Sequence, residues 1–174
     1  CAGTSVTFTA TPTNGGTTPA YQWQVNGVNA GTNSNTFTTS ALTNSQVVTV
    51  ILTSNATCAT GNPATSTGIT MTVNSNLPVS VSVAASATTI CAGTSVTFTA
   101  TPTNGGATPA YQWQVNGVNA GTNSNTFTTT TLTNGQIVTV ILTSNATCAT
   151  GNPATSTGIT MTVNPNLPVS VSVA

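Results

Sequence analysis

The sequence predicts an all-β protein arranged as tandem β-sandwich domains in a head-to-tail array, and three observations predict it. Apolar residues recur at every second position in short runs rich in Thr and Val, and no stretch carries the 3.6-residue period with helix caps. Aligning the chain with itself at an offset of 90 superposes residues 1–84 on 91–174 with six differences. These are Thr17/Ala107, Ser40/Thr130, Ala41/Thr131, Ser45/Gly135, Val47/Ile137 and Ser75/Pro165. Such a period is too long for a solenoid and suits small globular domains, each with its own core. Third, Tyr21-Gln22-Trp23-Gln24-Val25-Asn26-Gly27 recurs unchanged at residues 111–117. Tyr, Trp and Val alternate with Gln, Gln and Asn, as in a strand buried on one face, and Asn-Gly then turns the chain. This strand holds each copy's only Trp and only Tyr, so Trp23 with Tyr21, and Trp113 with Tyr111, are the expected core anchors.

The other elements follow in order. Residues 5–12 alternate Val6, Phe8 and Ala10 against Ser5, Thr7 and Thr9 and read as a strand, closed by the turn cluster Thr13-Asn14-Gly15-Gly16. After the Trp strand comes a short strand around Thr36-Phe37-Thr38. Residues 46–53 contain Val47-Val48-Thr49-Val50-Ile51-Leu52, apolar on both faces, as expected of a strand central in its sheet. Residues 67–73 alternate Ile69, Met71 and Val73 against Thr70 and Thr72. Past the linker Asn74-Ser75-Asn76-Leu77-Pro78, the run Val79-Ser80-Val81-Ser82-Val83 alternates once more. About seven short strands per copy with a Trp on the third correspond to an Ig-like sandwich.

The phase of the repeat divides the chain unevenly. Residues 1–76 read as a first domain lacking its own first strand, 77–166 as a second domain, and 167–174 as an orphan first strand. That strand belongs to the next domain or the next subunit, with Leu167, Val169, Val171 and Val173 as its packing residues. The chain opens on Cys1 without an initiator Met and reads either as a processed subunit or as a window on a longer array. Both readings give a heterologous, non-closing contact and hence a fibre.

Charge bounds the function. Across 174 residues there is no Lys, Arg, Asp, Glu or His. General acid-base catalysis, catalytic triads, His or carboxylate metal sites and a basic nucleic-acid footprint all lack their residues, so no enzyme and no cofactor is expected. Apolar residues make up 37% of the chain in clean alternation, enough to bury a core, and no apolar run reaches membrane-spanning length.

Four stretches carry a family resemblance: residues 90–100 (Ile-Cys-Ala-Gly-Thr-Ser-Val-Thr-Phe-Thr-Ala); Tyr111-Gln112-Trp113 with Asn116-Gly117; residues 142–148 (Leu-Thr-Ser-Asn-Ala-Thr-Cys); and Met161-Thr162-Val163-Asn164-Pro165. Together they resemble the Ig-like repeats of very large Bacteroidota surface proteins, including gliding-related adhesins exported by type IX secretion. The resemblance spans essentially the whole chain. It implies secretion to the cell surface, tandem arrays and a structural or adhesive role, with copies of the chain itself as partners and no catalytic residues.

In a secreted array the four cysteines suggest two disulfides, in three possible pairings. Pairing within domains joins Cys1 with Cys58 and Cys91 with Cys148. In an Ig-like sandwich, however, Cys1 opens the second strand, while Cys58 lies in the loop between the last two strands, at the opposite end. A strand of six or seven residues spans about 20 Å, whereas disulfide-bonded Cα atoms lie about 4.4–6.8 Å apart. Pairing across domains joins Cys1 with Cys148 and carries Cys91 to the Cys58 position of a following unit. Free thiols and a Cys-only metal site are the remaining alternatives.

Other features have two readings each. Trp23 and Trp113 are sugar-stacking platforms or core residues, and sharing a face with Val25 and Val115 favours the core. The ladders Thr7-Thr9-Thr11 and Thr36-Thr38 suit ice binding or simply an outer sheet face. Asn55-Ala56-Thr57 and Asn145-Ala146-Thr147 match the glycosylation pattern, or match it by accident. Two functions therefore compete: a structural module of an extracellular fibre or adhesin stalk, and a ligand-binding module for surface polysaccharide or ice.

Overall fold

A computed structural model describes residues 1–173 and is all-β, with no helix among them. Two compact units divide the chain, Cys1–Asn76 and Leu77–Ala174.

The first unit contains β1 (Val6–Thr9), β2 (Ala20–Val25), β3 (Val28–Ala30), β4 (Thr36–Thr39), β5 (Val47–Thr53), β6 (Ala64–Thr65) and β7 (Ile69–Thr70). One sheet runs β3-β2-β5-β6, with β7 also on β5; the other is the pair β1-β4. The apolar run at 47–52 is central, as its two-faced pattern predicts, with β2 on one side and β6 and β7 on the other. Asn26 and Gly27 both take positive φ, at 51° and 77°, which is what a tight hairpin turn into β3 demands. The two sheets meet in one core of Phe8 and Phe37 against Trp23, Val48 and Val50, with Leu42 beside them.

The second unit contains β8 (Leu77–Pro78), β9 (Ser80–Ala85), β10 (Thr89–Cys91), β11 (Val96–Thr103), β12 (Ala110–Val115), β13 (Val118–Ala120), β14 (Thr126–Thr129) and β15 (Ile137–Thr143). Four short strands complete it: β16 (Ala149–Thr150), β17 (Ala154–Thr155), β18 (Ile159–Thr160) and β19 (Thr162–Asn164). Here the sheets are β14-β11-β9 and β13-β12-β15-β17, and all pairings are antiparallel except β10 with β19 and β8 with β16. Val81, Val96, Phe98 and Ala100 from one sheet close over Trp113, Val138, Val140 and Leu142 from the other. This layering is compatible with a β-sandwich.

The structure departs from the sequence expectations at several strands. The strand expected over 5–12 is only β1, four residues long, whereas its copy β11 runs eight. Residues 67–73 reduce to the two-residue β7, and Leu77–Pro78, expected as linker, form β8. Residues 165–173 form no strand, and residue 174 of the expected strand at 167–174 lies outside the described residues. The physical reason is common to these cases. A strand is held by a hydrogen-bonded neighbour, and local alternation does not say whether one is present.

Candidate functional site

Each core is fixed first by its Trp. Trp113 is fully buried and stacks on Phe127 with ring centroids 5.7 Å apart, and its Nε1–H donates to the Ser124 carbonyl at 2.9 Å. Trp23 repeats this on Phe37 at 5.8 Å, donating to the Ser34 carbonyl at 2.8 Å. Tyr21 and Tyr111 are half-buried and pack against the same clusters. No aromatic ring is among the exposed large apolar residues described, so neither Trp offers a face for a sugar to stack on.

Around that shared core the two units differ along one edge. In the second unit β9 lies antiparallel on β11 from Phe98↔Ala85 to Thr103↔Ser80, burying Val79 and Val81. β8 continues this line: Leu77 N–H donates to the Cys148 carbonyl at 2.9 Å, and Val79 N–H to the Thr150 carbonyl at 2.8 Å. Asn104 Nδ2 ties β8 to the loop after β11 by donating to the Pro78 carbonyl at 2.7 Å.

In the first unit β1 pairs with β4 alone, and no described strand lies on its other edge. A groove of about 420 Å³ opens there, lined by Phe8, Ala10, Pro12, Tyr21, Leu52 and Ile69 among others. A second hollow of about 460 Å³ adjoins it through Thr13, Leu52 and Ala64 and reaches Cys58, Ala59 and Thr60. Comparison with the second unit measures what is uncovered. Val6, Ala10, Leu52 and Met71 are only half-buried, whereas Val96, Ala100, Leu142 and Met161 are buried. Ile69 is 53% exposed where Ile159 is half-buried. These residues are identical in the two copies, and among the described strands only the second unit has one covering that edge.

The sequence that covers this edge in the second unit recurs at the other end of the chain. Residues 167–174 repeat residues 77–84 without change. Yet Leu167, Val169, Val171 and Val173 are 84%, 99%, 93% and 96% exposed, so four large apolar side chains at alternate positions lie in water. None of the six positions that differ between copies lines the groove or the adjoining hollow, and none lies in the tail.

Cys1 and Cys148 are disulfide-bonded, whereas Cys58 and Cys91 are exposed free thiols. Pairing within domains, Cys1 with Cys58 and Cys91 with Cys148, is therefore overturned, because Cys1 and Cys148 are bonded while Cys58 and Cys91 are free. No cluster of metal-ligating side chains occurs among the described residues. The Asn55 amide Nδ2 donates to Thr18 Oγ1 at 2.7 Å, and the Asn145 amide Nδ2 to Thr108 Oγ1 at 2.6 Å, so the atoms a glycan would modify already serve the fold. In the threonine ladders, Thr7 and Thr38 bond to each other across the strands at 2.8 Å.

Sequence reasoning missed three pieces of the site. These are the hairpin strand β3, the parallel pair β8-β16, and the Asn104 bond to the Pro78 carbonyl. The Asn-Gly turn signals the first; nothing in the sequence signals the other two. Neither the protein-family models nor the curated proteins include a match to this chain.

Proposed function

We propose that this chain is a structural repeat module of an extracellular fibre or adhesin stalk, with Ig-like domains assembled head to tail by strand complementation. The observation that carries the reading is the pairing of an open groove with an exposed tail. The second unit's equivalent groove is filled by the very sequence the tail carries. Transferring the second unit's register by 90 residues sets Val173 opposite Ala10, Ser172 opposite Thr11, Val171 opposite Pro12 and Ser170 opposite Thr13 of an acceptor. Main-chain bonds along residues 10–13, directly after β1, then supply affinity, and the alternate valines fill the apolar floor.

The partner is another copy of this sequence, whether a separate chain or the preceding residues of a longer polypeptide. One groove and one tail per chain give a contact that does not close on itself, hence a fibre. The absence of charged side chains leaves nothing to hold fibres apart, which favours lateral bundling. The disulfide fits an oxidising compartment, which supports placement at the cell surface or beyond; among the described residues no helix is long and apolar enough to cross a membrane. Without acid-base groups the module is read as non-enzymatic.

Electron microscopy of isolated 174-residue chains, with and without residues 167–174, tests this. The intact chain is expected to form fibres and the truncated chain to remain monomeric. Normal fibres from the truncated chain refute strand exchange. A pull-down on insoluble polysaccharide alongside separates the ligand-binding alternative, which requires capture by unassembled chains.

A further inference from the structure

We propose that Cys91 of one chain and Cys58 of the next form a disulfide that locks each joint once the tail is seated. This rests on the strand-complementation reading and adds a covalent step to it.

The placement follows from bonds within each unit. Cys91 ends β10 opposite Asn164 of β19, where Ala92 N–H donates to the Asn164 carbonyl at 2.9 Å and Asn166 Nδ2 to the Ala92 carbonyl at 3.3 Å. Cys1 stands in the same way, since Ala2 N–H donates to the Asn74 carbonyl at 2.9 Å. Three residues beyond Asn74 comes Leu77, whose N–H is bonded to the Cys148 carbonyl. Three residues beyond Asn164 comes Leu167, the first apolar residue of the tail. Seated as Leu77 is seated, Leu167 donates to the Cys58 carbonyl of the acceptor. Donor Cys91 and acceptor Cys58 then flank a three-residue step of at most about 10 Å, as Cys1 and Cys148 flank theirs. Those two cysteines are oxidised.

A second observation points the same way. Cys58 has φ +62° and the bonded Cys148 has φ +65°, a left-handed conformation that a residue with a Cβ adopts only where its surroundings impose it. The free thiol is thus already held in the backbone conformation of its oxidised counterpart, and both Cys58 and Cys91 are open to solvent.

Chemically, Cys91 Sγ and Cys58 Sγ each give up a proton and one electron to form the S–S bond. A low-molecular-weight disulfide takes both electrons and both protons and is cleaved to two thiols.

The test uses the 174-residue chain treated with oxidised glutathione, non-reducing denaturing electrophoresis and parallel electron microscopy. Wild type is expected to give a ladder at multiples of 17.2 kDa that collapses with reductant. Cys58→Ser and Cys91→Ser are each expected to form fibres yet run as monomers, and their equimolar mixture to stop at the dimer. A ladder from either single variant, a ladder from the chain lacking residues 167–174, or wild-type fibres that yield only monomer would overturn the lock. Absence of wild-type fibres before oxidant is added would instead sink strand exchange itself, and the lock with it.

Discussion

Trp113 shows how much one residue decides in a domain of this size. Its ring is fully buried against Phe98 and Phe127, and its indole N–H is satisfied, so truncation leaves a cavity and an unpaired carbonyl together. Trp113→Ala is expected to cost about 3–5 kcal/mol, read by thermal melting; a melting temperature within a degree of wild type would return the ring to the surface. Position 45 offers the opposite sign. Ser45 sits at φ +68°, and the other copy carries Gly135 at φ +81° in the same place. Glycine adopts that conformation without steric cost, so Ser45→Gly is expected to stabilise the first unit by about 1 kcal/mol.

β1 and β11 share one sequence and differ in length, which isolates the effect of a neighbour. The first unit, with Leu52 and Met71 half-buried, is expected to melt below the second in calorimetry of the unassembled chain. A synthetic peptide of residues 77–86 in excess should raise that lower transition and leave the upper one unmoved; an unchanged lower transition would mean that the groove does not accept this strand. Leu142→Ala should cost about 2–5 kcal/mol. Leu52→Ala should cost less in free chains, the gap closing once the peptide is bound. What was legible in sequence divides along the same line. The Trp strand, the central strand at 47–53 and the Asn-Gly turns were readable because alternation and turn chemistry are local. That β1 pairs with β4 alone leaves no local pattern in its own sequence, which matches that of β11. The parallel β8-β16 pair and the Asn104 bond were not readable, because they join residues 70 or more, and 26, apart by contacts that leave no local pattern.

At the scale of the whole molecule, the absence of Lys, Arg, Asp, Glu and His removes the groups through which pH acts on folding. Stability depends on pH only where the folded and unfolded states bind different numbers of protons. The unfolding midpoint is therefore expected to stay constant between about pH 3 and pH 7, and a shift of several degrees on acidification would contradict this. Finally, all six differences between copies avoid both the groove and the tail. If chains join by strand complementation as proposed, every tail therefore fits every groove, and the order in which chains follow one another does not matter to the joint. A gene made of such units gains or loses whole copies by unequal recombination without spoiling any junction. On that proposal, fibre length is open to inheritance as a copy number, while the chemistry of the joint stays the same.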